Sequence, residues 1–244
     1  LGLGCSKALS LAGHRVVMCA RREKELEEAA LEVRALGKGE VIACVCDWSK
    51  KDDIEKLKKR LEKENIQIDI LVNNVGGPPP GTITKLSESD WEAGLDLLFR
   101  STLRLYALVL PEMRKRKWGR IINILSTTAL EPSPALAVSS VLRAALASYA
   151  KLTAVEVAKE GVTINSIMPN GFLTARTEKL IADQARRESQ SVEEVRRKIE
   201  STLPLGRFID PIELGHFVAY LAFDEASGIT GALIPVDGGS KKSL

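Results

Sequence analysis

The chain has 244 residues, enough for one α/β domain with a full core. Its 45% hydrophobic and 27% charged content is ordinary for a globular protein, and its apolar runs are far too short to span a bilayer. A net charge of +3 gives no argument for a nucleic-acid or membrane partner.

In chain order, Leu1-Gly2-Leu3-Gly4 reads as a turn entering a short helix that stops at Gly13. Residues 15–19, RVVMC, are β-branched and predict a strand; 23–36 predict a helix with apolar positions at 26, 30, 31 and 36. Residues 41–46 are a further strand, followed by Asp47-Trp48, and 50–64 are a polar amphipathic helix. The run IDILV at 68–72 is continuously apolar and should be buried on both faces. It leads into Asn73-Asn74-Val75-Gly76-Gly77, where glycine lets backbone approach a ligand. Pro78 to Pro80 then stiffen the loop, either as a rigid pocket wall or as a plain connector. Residues 87–117 contain a long helix that Pro111 should bend or break. The basic run 115–120 reads as a solvated helix end, where cations suit the macrodipole.

Residues 120–124 form an Ile-rich buried strand, with Ser126 at its carboxyl end, where open parallel sheets bind ligands. A loop, Glu131-Pro-Ser-Pro134, leads to a small-residue helix over 137–160, on which Ser139 and Arg143 share a face. Residues 163–168 are another strand, followed by Pro169-Asn170-Gly171-Phe172-Leu173-Thr174. Arg- and Glu-rich helical segments occupy 175–203, a helix 211–223, and ITGALIPVDGG closes the pattern at 229–239. Apolar strands alternating with amphipathic helices predict a doubly wound parallel sheet in a single domain, with helices on both faces. The four cysteines, at 5, 19, 44 and 46, lack metal-ligand spacing, and no metal is expected. They read as small buried hydrophobes in a reducing compartment, hence a cytoplasmic protein. His14 and His216 are isolated and read as structural.

The segment Asn123-Ile124-Leu125-Ser126, together with the helix over 137–160, resembles the active-site segment of the short-chain dehydrogenase/reductase family. In that family a strand ends Asn-Ile-Ser-Ser, Tyr comes thirteen residues later, and Lys four residues after that. Here Ser126 takes the place of the catalytic Ser, Ser139 that of Tyr and Arg143 that of Lys. Trp91 to Leu97 aligns with the family's WDxxxDxN and puts Leu98 at the position of a catalytic Asn, so that three of four catalytic positions are changed. In the family that Asn holds a relay water through an altered backbone, which Leu should not do. Arg143 keeps a positive charge but cannot shuttle a proton, and the Ser139 hydroxyl is a far weaker acid than a phenol. Tyr149 lies six residues past Arg143, roughly 120° further round the helix at ~100° per residue, and does not replace the lost phenol.

The resemblance implies a Rossmann-like domain over 1–244 that binds a nicotinamide dinucleotide. Gly2, Leu3 and Gly4 resemble the tail of the family's TGxxxGxG; its first strand and first glycine are absent, so a truncated sequence is expected. Ala20 stands where an acid would bind the ribose 2′-hydroxyl, and Arg21 would accommodate a 2′-phosphate: NADP(H) is preferred, NAD(H) possible. Asp47 and Trp48 would meet the adenine edge; Asn74, Val75 and Gly76 resemble the family's NNAG; Pro169 and Thr174 resemble its PGxxxT cofactor loop; Arg143 would hold ribose hydroxyls. Residues 175–203 would form a lid over a small-molecule substrate. The implied activity is hydride transfer to or from a carbonyl or alcohol, similar to 3-oxoacyl-acyl-carrier-protein reductases. The alternative is a catalytically impaired NADP(H)-binding protein acting as sensor or partner subunit. The resemblance implies a homotetramer or dimer, and helices 87–117 and 137–160, apolar beyond one face, are expected to contribute to its interface.

Overall fold

The computed structural model describes residues 1–243. Within them the β-branched runs become strands β1 (Val16–Ala20), β2 (Val41–Val45), β3 (Ile70–Asn73), β4 (Gly119–Ile124), β5 (Val162–Pro169) and β6 (Leu233–Val236). All ladders are parallel: β1 pairs with β2, and β3-β4-β5-β6 are neighbours in that order. The doubly wound α/β sheet expected from the alternation is present. Parallel strands need crossovers, and helices supply them. Helices α1 (Gly2–Leu11), α2 (Glu23–Ala35) and α9 (Pro211–Ala222) pack on one face; α3 (Lys51–Lys63), α5 (Ser101–Arg116) and α6 (Ala137–Val157) pack on the other. Strand β4 shows the alternation: Ile121 joins α5 and α6, whereas Ile122 and Ile124 join α1 and α9. None of the described helices is long and apolar enough to cross a membrane.

The ladder is interrupted between β1 and β3. Their facing edges line a cavity of about 1240 Å³ instead of hydrogen-bonding to a common neighbour. This explains a departure from expectation: Ile70, Leu71 and Val72 are only half-buried, because one edge of their strand opens on that cavity.

The region read as one long helix over 87–117 is three pieces: α4 (Glu88–Gly94), a π-helical turn (Leu95–Arg100) and α5. Pro111 neither ends nor divides α5; the irregularity lies a full three turns earlier. The basic run at 115–120 is also not all solvated. Arg120 belongs to β4, is 2% exposed, lies 4.3 Å over the Trp118 ring and is paired with Asp224 at 2.9 Å.

Helices α1 and α9 approach backbone to backbone. A Cβ on Gly4 would lie 2.3 Å from the Pro211 carbonyl oxygen, and one on Gly215 would lie 2.2 Å from the Gly4 carbonyl oxygen. Neither neighbour is a flexible side chain, so the helices must separate to admit a methyl group. Gly215→Ala is therefore expected to destabilise the fold by about 1–3 kcal/mol, read as a lower urea midpoint with unchanged slope.

Candidate active site

The carboxyl ends of β3, β4 and β5 are held together by buried side-chain amides and hydroxyls. Asn73 pairs in register with Asn123, and Asn123 with Ser166. Asn73 Nδ2 donates to Asn123 Oδ1 at 3.1 Å and to Thr102 Oγ1 at 2.9 Å; Asn123 Nδ2 donates to the Tyr106 hydroxyl at 2.9 Å and to Ser166 Oγ at 3.3 Å. Burial, partly offset by the Asn123 bond, pushes the Tyr106 phenol well above its usual range, so it stays neutral. This network was not identified from the sequence. Its signal was present, however: polar residues at matching positions of successive apolar strands.

Thr102 carries the network into the π-helical turn. Its Oγ1 donates to the Leu98 carbonyl at 2.7 Å, and Ser101 Oγ donates to the same carbonyl at 3.2 Å. A π-turn leaves carbonyls without regular helical partners, and these two hydroxyls satisfy one of them. Leu98 itself is fully buried. The backbone is irregular at Leu98, and the Leu98 carbonyl is engaged by protein hydroxyls.

Ser126 lies just past β4 and is half-buried. Its Oγ accepts from Thr128 N at 3.2 Å and from Thr128 Oγ1 at 3.0 Å. Both are bonds into the oxygen, so its own proton is left to donate. Ser139 and Arg143 stand one turn apart on α6 and are 8% and 7% exposed. Arg143 Nε donates to Ser139 Oγ at 3.2 Å, and Nη1 donates to the Ile124 carbonyl at 3.1 Å, two residues before Ser126. Burial lowers the Arg143 pKa to about 10, so it remains a cation at neutral pH. It has no carboxylate partner among the described residues. Tyr149 packs on Tyr106 and Phe99, with ring centroids 5.3 and 6.0 Å away, in the α5–α6 core and not beside Ser139.

The loop Pro78 to Pro80 ends at Gly81, whose N–H donates to the Ala135 carbonyl at 2.9 Å and whose carbonyl accepts from Ala137 N at 3.2 Å. That docking favours the rigid-wall reading. Across the loop after Ser126, Glu131 Oε1 accepts from the backbone of Lys242 at 2.8 Å and Ser243 at 2.6 Å, tying the last described residues to the same rim.

The cavity between β1 and β3 gathers Gly2, Leu3, Arg21, Asp47, Trp48, Asn74, Val75 and Gly76. A Cβ on Gly2 would lie 2.8 Å from Asn74 Nδ2, and one on Gly76 would point into open space. Helix α1 begins at Gly2, and a helix N-terminus offers unpaired N–H groups that suit a phosphate. Arg21 is exposed and has no ion pair among the described residues, whereas Arg22 pairs with Glu25 at 3.0 Å. Asp47 spends Oδ1 on Ser49 N and Oγ, leaving Oδ2 free among the described residues. Gly4 is a correction: it is buried against Pro211 and does not line the cavity, so its role is helix packing. Ser126, Ser139, Arg143, Pro169 and Thr174 also lie outside that cavity. Pro169 ends β5, and Thr174 caps α7 (Ala175–Glu188) by accepting from Thr177 N at 3.2 Å. Helices α7 and α8 (Val192–Glu200) fill the segment expected to be a lid, joined through Ile181, Ala185, Val195 and Phe208.

A parallel doubly wound sheet with a phosphate-ready helix and a hydroxyl at the end of β4 defines a dinucleotide-type α/β scaffold. Residues 1–241 match the family model described as enoyl-(acyl carrier protein) reductase. The chain belongs to the short-chain dehydrogenase/reductase family of oxidoreductases. It is 32% identical over 244 residues to a D-beta-hydroxybutyrate dehydrogenase of Rhizobium meliloti, covering 98% of this chain and 93% of that protein. The structure of L-sorbose reductase from Gluconobacter frateurii, complexed with NADPH and L-sorbose, superposes with a TM-score of 0.94 at 27% identity, covering 99% of this chain and 92% of that one. An NADPH-bound short-chain oxidoreductase from Pseudomonas aeruginosa, described as containing an atypical catalytic center, superposes at 0.82 with 26% identity, covering 100% and 94%.

The Thr102 hydroxyl both accepts from Asn73 and donates to Leu98, in a buried setting. Thr102→Val keeps the shape and leaves two buried groups without that partner. Measured by chemical denaturation, the expected loss is about 1–3 kcal/mol, because Ser101 Oγ still serves the Leu98 carbonyl and Asn123 Oδ1 the Asn73 amide.

Proposed function

We propose that this chain is an NADP(H)-dependent oxidoreductase transferring a hydride to or from a carbonyl/alcohol pair. The substrate class we favour is a 3-oxoacyl or 3-hydroxyacyl compound, which the β-hydroxy acid in the Rhizobium relative's name supports. One observation carries the reading: a buried Arg143 guanidinium without a carboxylate partner among the described residues, bonded to Ser139 and to the end of β4, two residues from the free proton of Ser126. An unpaired buried cation is costly, and an oxyanion formed beside it relieves that cost.

Bound NADP(H) would supply or accept the hydride. The leading N–H groups at Gly2 and Leu3 would hold its phosphates, Arg21 the 2′-phosphate, Asp47 and Trp48 the adenine edge, and Asn74 to Gly76, Pro169 and Thr174 the remainder of its length. Ser126 donates its hydroxyl proton in a hydrogen bond to the substrate oxygen. Ser139 accepts from Arg143 and so has its own proton to donate to the same oxygen, strengthened by the charge behind it. Neither residue is a proton source near neutral pH, so solvent or a substrate group completes the transfer. Losing general acid/base catalysis typically lowers a rate about 10²–10⁴-fold, which leaves a slow enzyme rather than an inert one. The second reading, a cofactor-binding sensor or partner subunit without turnover, is favoured by the engagement of Arg143 in protein contacts. NADPH oxidation over a carbonyl panel, beside a binding titration, separates the two.

A homodimer or tetramer is part of the proposal. Val141, Leu152 and Val155 leave an apolar stripe exposed on α6, at 48%, 66% and 66%. All four cysteines are free, which suits a cytoplasmic setting.

Arg21→Ala is expected to weaken NADPH binding at least about tenfold, the scale of one charge-assisted contact, and to leave NADH binding unchanged. Equal wild-type affinity for the two cofactors would refute the assignment. Ser126→Ala should lower kcat/KM by ~10²-fold or more, as for an oxyanion donor. The triple variant Leu98→Asn, Ser139→Tyr, Arg143→Lys should gain carbonyl reduction; a folded, NADPH-binding triple variant with no gain would overturn the reductase reading.

A further inference from the structure

The start of α7 is anchored just past the carboxyl end of β5. Thr174 Oγ1 accepts from Thr177 N at 3.2 Å, Thr177 Oγ1 donates to the Phe172 carbonyl at 2.9 Å, and Leu173 N donates to the Ile209 carbonyl at 2.9 Å. The second residue of that helix is Arg176, in a first turn where the macrodipole disfavours a cation. Arg176 has no ion pair among the described residues, whereas Arg186, Arg196 and Arg207 pair with Asp183, Glu200 and Glu213. Helix stability therefore does not explain its place. Its guanidinium reaches the loop after β3 instead: Nη1 lies 3.8 Å from where a Cβ on Gly77 would stand. Gly77 opens the Pro78–Pro80 wall, whose far end, Gly81, is bonded to Ala135 and Ala137 at the start of the helix that carries Ser139 and Arg143. The loops that follow β3, β4 and β5, over 74–81, 125–136 and 170–174, contain a single acid, Glu131. Its Oε1 is taken by the backbone N–H groups of Lys242 and Ser243. This end of the sheet thus offers cations and hydroxyls, with no free carboxylate on those loops to neutralise Arg176.

We infer that Arg176 binds a free carboxylate of the substrate, so that the chain acts on short 3-oxo and 3-hydroxy acids rather than on their uncharged esters or thioesters. The inference rests on the hydride-transfer reading above and narrows its substrate class. A guanidinium fork matches a carboxylate with two parallel hydrogen bonds, which a neutral acyl group cannot return. With the carbonyl oxygen at Ser126 and Ser139 and the carboxylate at Arg176, the substrate is held at both ends, which orients the carbon that takes the hydride. Arg176 is exposed, so it stays hydrated when unpaired. Selectivity then comes from affinity gained with the acid, not from rejection of the ester. The cofactor's diphosphate is the other anion that such a cation could meet. The substrate is favoured because Gly77 lies beyond the cofactor residues Asn74 to Gly76 and begins the wall that leads to the helix of Ser139.

The test titrates acetoacetate and 3-oxohexanoate, and the methyl ester of each, into the chain saturated with NADP⁺. The oxidised cofactor has no hydride to give, so binding is read by calorimetry whatever the rate of chemistry. The expected result is that the wild type binds each acid at least about tenfold tighter than its ester, the scale of one charge-assisted contact. Arg176→Ala should remove that difference while leaving NADP⁺ affinity and ester affinity as they were. Arg176→Lys should restore part of it, because the charge persists without the fork. A wild type that binds NADP⁺ but takes acid and ester equally overturns the inference and leaves the oxidoreductase reading standing. A preference for the acid that survives in Arg176→Ala overturns it too. If Arg176→Ala instead loses NADP⁺ affinity and keeps the preference, the guanidinium serves the diphosphate and the inference is again overturned. A folded wild type that binds no NADP(H) overturns the cofactor reading itself, and this one with it.

Discussion

The hydrogen bond between Asn73 and Asn123 is the contact on which the site depends. It joins neighbouring parallel strands at their carboxyl ends, where an all-apolar pair would leave the relative height of β3 and β4 less constrained. Each partner then reaches further, Asn73 to Thr102 and Asn123 to Tyr106 and Ser166. A buried polar network of this kind is worth having only when its members are satisfied together. The result is that α5, β3, β4 and β5 present their active ends at one level. Ser126 stands two residues past β4, so its height above the sheet is set by this network rather than by contacts of its own.

The same network accounts for the shape of the segment before α5, where the apolar Leu98 is buried at the centre of a π-helical turn. The π-helical turn at Leu95–Arg100 widens the backbone, and Ser101 and Thr102 return their hydroxyls to the Leu98 carbonyl. Backbone geometry here is a property of the turn and its neighbouring hydroxyls. A water held by that carbonyl would have to displace intramolecular bonds.

Much of this was legible in the chain. Strands β4 and β5 stand out because they are short, Ile- or Val-containing and buried on both faces, and parallel sheets demand that pattern. The spacing of Ser139 and Arg143 puts them on one face of α6, and the structure joins them to each other and to the end of β4, two residues before Ser126. What escaped were effects of tertiary context. Arg120 looks like part of a solvated basic run, yet the Trp118 ring and Asp224 allow it to be buried within β4. Gly4 looks like a ligand glycine because it stands in a Gly-x-Gly pair, but the close approach of α9 is what requires it. Pro111 looks like a helix breaker, and α5 accommodates it while the break falls at Leu95–Arg100. Hydrophobic period says nothing about any of these three, since each is decided by a partner more than eighty residues away or by a local hydroxyl.

Ser139 and Arg143 are best understood as one unit rather than two separate residues. The guanidinium is planar and donates from several nitrogens in fixed directions. Buried, it needs acceptors on more than one side, and it finds the Ser139 hydroxyl and the Ile124 carbonyl. A tyrosine at 139 carries its oxygen at the far end of a ring, several ångströms from the position of a serine Oγ, and would leave Nε without its acceptor. A lysine at 143 beside Ser139 would put a compact ammonium where a fork now spans helix and strand. Either single replacement therefore strands a buried polar group, at a cost of about 1–3 kcal/mol, before any question of catalysis arises. Residues that share a hydrogen bond in this way are expected to couple energetically. The present pair is a self-consistent arrangement of a buried cation and its two acceptors.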